Sequence, residues 1–145
     1  MRFLHLYLLL AVTALLPGCE PAHETTGLDF DSAWVRALPP GQQMTAAYGV
    51  LTNRQSDTLT LRLFASDRFA DVSLHRTVSA GGVSRMQPVD QIRLEAGASV
   101  TLAPGGMHLM LMAPAGEVAP GDRVRLSFIS DSGAHYEFSV PVEMR

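Results

Sequence analysis

The stretch DRVRLSFI, residues 122–129, decides the fold class. Val124, Leu126 and Phe128 alternate with Arg123, Arg125 and Ser127. A period of two becomes one apolar and one polar face only in an extended strand. HYEFSVPV (135–142) repeats the pattern with Tyr136, Phe138, Val140 and Val142, and TLTLRLF (58–64) sets Leu59, Leu61 and Leu63 against Thr60 and Arg62. AWVRAL, AAYGVL, QIRL and SVTL are further short strand candidates. Between them stand turn signals: PPG (39–41), NRQSD (53–57), AGG (80–82), EAG (95–97), APGG (103–106), APG (119–121) and DSG (131–133). No amphipathic helix longer than two turns appears, and ASDRFADV (65–72) allows at most a short helical turn. The expectation is an all-β domain, an antiparallel β-sandwich or barrel.

The chain of 145 residues is long enough for one domain with a real core. Its start does not belong to that core. MRFLHLYLLLAVTALLPGC has Arg2, an apolar run from Leu6 to Leu16, and then Pro17-Gly18-Cys19. The run is shorter than the roughly 20 apolar residues of a permanent membrane helix and fits a secretory signal peptide. The Leu-x-Gly-Cys ending resembles a bacterial lipobox, which implies residues 1–18 as a lipoprotein signal peptide and Cys19 as the lipidated N-terminus. Plain secretion with a free thiol at Cys19 is the other reading. Residues 19–27 read as a polar tether, with His23 solvated in it, and residues 28–145 as the folded domain. The expected location is extracytoplasmic, in the periplasm, with a lipid anchor in a membrane.

Cys19 is the single cysteine, so the folded domain has neither a disulfide nor a thiolate to offer a metal. Net charge is −3, and the 11 basic residues are all arginine, scattered without a basic run. Nucleic acid is excluded as a partner.

The segment GGMHLMLM (105–112) carries the chemistry. In a strand, His108, Met110 and Met112 share one face, and Met107, Leu109 and Leu111 the other. In DVSLHRT, alternation turns Val72 and Leu74 one way and Ser73 and His75 the other. Met86 lies in the loop GGVSRMQPVD. Thioether and imidazole together form a soft, neutral donor set that suits Cu(I), whereas hard cations want carboxylates. On residues alone, core filling is the better account of Met86 and Met112, and a solvated or hydrogen-bonded residue the better account of His75. Met44 and Met112 are candidates for groups flanking a site, though core packing is the better reading of each, and His135, beside the DSG turn, is expected on a hairpin surface.

His75, ten residues, Met86, twenty-one residues, then His108-x-Met110 resembles the H-x10-M-x21-H-x-M signature of the PCu(A)C family of periplasmic copper chaperones. AWVRALPPG, AAYGVLTN, GGVSRMQPV, LAPGGMHLMLM and FSVPV resemble that family as well, so the likeness spans about residues 30–143. It implies a cupredoxin-like β-sandwich and one Cu(I) per chain, held by His75, Met86, His108 and Met110. It further implies copper delivery to a cytochrome oxidase, at the dinuclear copper centre of its copper-bearing subunit, alongside a Sco-type protein. Relatives often carry a Met/His-rich C-terminal extension, whereas this chain ends at VEMR. Arg76-Thr77 stands where they often have an acidic residue and a methionine.

Such a set fits a carrier rather than an enzyme. Thioethers do not oxidise to disulfides and need not lose a proton to bind. The histidines do, so affinity is expected to fall below about pH 6. Three other classes stay in view: a copper electron-transfer protein, for which the thiolate is missing; a copper enzyme, which calls for more histidines; and a metal-free, membrane-anchored interaction module.

Overall fold

The structure, a computed structural model, describes residues 27–145. The expected signal peptide (1–18), lipidated Cys19, His23 and all of the tether except Gly27 lie outside the described residues. Ten strands follow in chain order, with no helix among the described residues. They are β1 (Leu28–Arg36), β2 (Met44–Asn53), β3 (Leu59–Ser66), β4 (Phe69–Ala80), β5 (Val83–Pro88), β6 (Ile92–Leu94), β7 (Ser99–Leu102), β8 (Met107–Pro114), β9 (Arg123–Ser130) and β10 (His135–Glu143).

One sheet runs β5-β4-β8-β2-β1, with β7 taking over from β8 along the second half of β2. The other runs β10-β9-β3-β6. A short parallel pairing of β1 with β10, Val35 to Val142 and Arg36 to Glu143, joins them, and the other pairs are antiparallel. The apolar faces meet inside, as the alternating pattern requires. Val124, Leu126, Phe128, Tyr136, Val140 and Val142 are all buried. Phe128 sits at the centre, with Phe30, Phe64 and Phe138 edge-on around it at centroid distances of 5.4, 5.5 and 5.5 Å. Offset and edge-on ring geometry is the favourable one for aromatic quadrupoles.

Two sequence expectations are corrected, the face of Leu63 and the loop around Met86. Leu63 does not continue the face of Leu59 and Leu61. The β3–β9 register shifts between Leu61 and Leu63, so Leu63 is turned out and 62% exposed, while Phe64 takes the inward place. Residues 65–72, which allowed at most a short helical turn, hold none: Ala65 and Ser66 end β3 and Phe69 opens β4. The segment around Met86 is a strand, β5, paired with β4 from His75–Pro88 to Ala80–Val83. All six of its residues are exposed, so no burial marks it in the sequence.

A second bulge, in β1, positions the outer face of the larger sheet. Leu28 and Phe30 point inward, and the β1–β2 register then slips between Asp31 and Trp34, with Ser32 at φ 50°. One extra residue reverses the alternation. Val35 therefore enters the core and Trp34 turns to the outer face, against Tyr48 at 4.6 Å between ring centroids.

Candidate metal centre

The outer face of β4, β8 and β2 gathers the histidines and methionines. Leu74, Leu109 and Leu111 are buried in the core. Alternation then sends His75, His108, Met110 and Met112 to the opposite face. Antiparallel pairing sets His75 directly against His108, Ser73 against Met110, and Thr77 on β4 against Met86 on β5. Four residues spread over 36 positions of sequence are thus drawn to adjoining places by strand pairing alone.

The two imidazoles lie 6.2 Å apart between centroids and nearly parallel, at 25°. His108 is 5% exposed, and Tyr48 lies on its other side at 6.4 Å. His108 Nδ1 is 3.1 Å from the Gly106 carbonyl oxygen. A carbonyl only accepts, so this contact requires the proton on Nδ1 and leaves Nε2 with a free lone pair. His75 Nε2 is 3.1 Å from Ser73 Oγ. Its Nδ1 is sealed from solvent and has no hydrogen-bond partner among the described residues. A buried polar nitrogen without a partner costs about 1–3 kcal/mol, and a bound ion is one of the few things that would satisfy it.

His108, Met86 and Met110 line one open cleft of about 400 Å³, together with Met44 and Arg36. Met86 is 60% exposed and Met44 53%. The Arg36 guanidinium lies over the Tyr48 ring at 5.4 Å, and Arg145 covers Trp34 at 5.0 Å. Among the described residues no three His, Cys, Asp or Glu side chains gather at one point. A metal centre here therefore needs the sulfur ethers, and the donor set present is a soft one.

The structure brings His108, Met86 and Met110 to one cleft and places the His75 ring beside it. Met44 opens β2 directly opposite Met112 on β8. His135 is exposed at the start of β10, on the other sheet, as expected of a hairpin residue. Sequence reasoning gives no role to Ser73 or Tyr48, which touch or flank the two rings. Alternation sets Ser73 on the His75 face, two residues before it, without assigning it a function.

An all-β sandwich with a histidine–methionine cleft on one outer face is the class of protein these features define. The chain belongs to the LpqE-like lipoprotein family, of PCuAC type, which it matches over residues 28–142. It is 30% identical over 152 residues to a protein of Leifsonia xyli subsp. xyli named as a lipoprotein, Lxx21020, covering 98% of this chain and 90% of that one. Among solved structures it is similar to Cu(I)-DR1885 from Deinococcus radiodurans, with a TM-score of 0.65 and 27% identity over 83% of this chain and 82% of that one. The copper-bound PCuAC domain from PmoF2 shares the fold, with a TM-score of 0.67 at 21% identity over 82% of this chain and 94% of that one.

Proposed function

We propose that this protein is a Cu(I) carrier, anchored by lipid at Cys19 on the extracytoplasmic side of a membrane. It holds one cuprous ion through His75, Met86, His108 and Met110. The observation that carries the reading is the opposed histidine pair, in which each ring has one nitrogen without a hydrogen bond, set beside two thioethers. Likeness to Cu(I)-DR1885 and membership of a lipoprotein family support it.

All four ligands are neutral when bound, so the ion keeps its charge and is held less firmly than by thiolates. Met86 stands on an exposed edge strand, where an incoming ligand reaches it first. Ligand exchange with a partner is the mechanism: Met86 leaves, the partner's donor enters, and the histidines follow. The protein acts as carrier, not catalyst. The recipient is the copper-bearing subunit of a respiratory haem-copper oxidase, directly or through a Sco-type protein.

Anaerobic titration of the purified chain with Cu(I) against a competing chelator tests this. One tight equivalent is expected, strongly weakened by Met86→Ala or His108→Ala and unchanged by His135→Ala. Equal affinity in all four proteins removes the site.

A further inference from the structure

Two outer-face methionines remain outside the proposed ligand set. Met44 and Met112 are direct cross-strand partners on β2 and β8, and Met110 is the next residue of β8 on the same face. Directly opposed residues have Cβ atoms roughly 4.5–5.5 Å apart, and residues two apart on a strand lie roughly 6–7 Å apart. A methionine side chain spans those gaps, so three sulfurs can reach one point. Met44 and Met110 line the same cleft, and Met112, half-buried, is tied to them by its pairing with Met44 rather than by lining that cleft. Asp71 flanks Met112 on its other side, across β4. Core filling does not explain the trio: Leu109 and Leu111 occupy the core face of β8, and Met44 is 53% exposed. Thioethers are usually spent inside.

We propose that Met44, Met110 and Met112 form a second, weaker thioether site for Cu(I), a transit position beside the principal one. The inference rests on the reading of His75, Met86, His108 and Met110 as the principal ligands. Met110 belongs to both sets. By releasing the histidines and gaining Met44 and Met112, the ion moves along β8 while one sulfur keeps hold of it. Three neutral thioethers suit Cu(I) and not Cu(II) or a hard divalent ion. The Asp71 carboxylate adds a negative charge beside the exposed end of the route.

The test uses Cu(I) itself, with methionine methyl groups labelled with 13C. In the His75→Ala/His108→Ala protein the principal site is disabled and Met110 is free. One weak equivalent is expected, shifting the methyl signals of Met44, Met110 and Met112 but not that of Met107. Adding Met44→Leu or Met112→Leu weakens this binding on the order of 10–100-fold, the range seen when even an outer partner of a metal site is lost. Unmoved Met44 and Met112 methyls, or undiminished binding in the leucine variants, overturns the proposal. Should the double-alanine protein not fold, Met44→Leu and Met112→Leu in the otherwise intact chain serve. Volume-conserving exchanges of this kind are well tolerated. Both are expected to slow transfer of the bound ion to a chelator while the equilibrium affinity of the first equivalent stays the same. Unchanged transfer rates overturn the proposal. If the unaltered chain takes up no tight Cu(I), the principal site fails instead, and the two failures are told apart.

Discussion

His75 and His108 face each other across β4 and β8 with near-parallel rings, and neither is fully spent on protein hydrogen bonds. In the metal-free protein the His75 Nδ1 is a buried polar atom without a partner, a cost of about 1–3 kcal/mol. His75→Leu removes that cost and keeps the volume. The variant is expected to be at least as stable as the unaltered protein without metal, by up to about 1 kcal/mol in urea unfolding. Copper reverses the order. At free Cu(I) a thousand times the Kd, the unaltered chain gains about 4 kcal/mol by mass action and the variant gains little. A variant that is less stable without metal and equally stabilised by copper contradicts the ligand role of His75.

Ser73 follows from the same pair. Its hydroxyl meets His75 Nε2, and with the proton on Nε2 the bare lone pair is on Nδ1, the buried side. A serine hydroxyl donates or accepts, so it orients the ring in either tautomer. Outer partners that orient a metal-binding histidine are worth on the order of 10–100-fold in metal affinity. Ser73→Ala is expected to weaken Cu(I) binding by that range, and Ser73→Thr to restore it. Imidazole nitrogen shifts in the metal-free protein give an independent readout. The His75 signals should shift in Ser73→Ala as its Nε2 loses the hydroxyl partner, while those of His108, fixed by the Gly106 carbonyl, stay in place.

Period-two alternation made the strands legible, because burial of one face leaves a mark on every second residue. Val124, Leu126 and Phe128 carried that mark, and so did Leu109 and Leu111. It failed at Leu63 and around Trp34, where one extra residue flips the alternation and no glycine or proline in the bulged strand itself announces the slip. It also failed at β5. An edge strand exposed on both faces has no apolar period, so Met86 read as a loop residue. The four proposed ligands were found through their spacing and family resemblance. Their meeting depends on the β4–β8 and β4–β5 registers, which are properties of pairing between distant segments and are not written in any local stretch. Ser73 escaped because a serine on a half-exposed strand carries no signal until its neighbour is given a role.

Acid sensitivity has a separate source, away from the site. Thr58 Oγ1 donates to Glu95 at 2.7 Å, and Arg93 Nε donates to its other oxygen at 3.1 Å. The hydrogen bond from Thr58, then that from Arg93 and its charge, hold the Glu95 carboxyl below its usual pKa. A carboxyl whose pKa is lowered on folding stabilises the folded state above the unfolded value, about 4.3, and loses that contribution as pH falls through the folded value. Glu95→Gln is therefore expected to flatten the fall of the urea midpoint below pH 4.3, with little change in slope at pH 7. A fall as steep as that of the unaltered protein means that Glu95 does not contribute.

Gly49 makes the β1 bulge possible. It sits at φ 151° on β2, and a Cβ there would lie 2.6 Å from the Phe30 ring and 2.9 Å from the Ala33 Cα. The second contact is with backbone, which cannot swing aside as a side chain can. Overpacking of this kind costs about 1–3 kcal/mol, with a further 1–3 kcal/mol for an unfavoured backbone conformation. Gly49→Ala is expected to destabilise the fold by about 3 kcal/mol and to disturb the slip between Asp31 and Trp34. Trp34 is the sole tryptophan and reports directly. Its stacking on Tyr48 and the guanidinium of Arg145 over it depend on the outward turn that the bulge gives it. Near-ultraviolet circular dichroism of the folded variant should therefore lose tryptophan intensity, and Cu(I) affinity should fall with it as Tyr48 shifts against His108. Full stability with an unaltered tryptophan signal would mean that the bulge does not need a glycine opposite it.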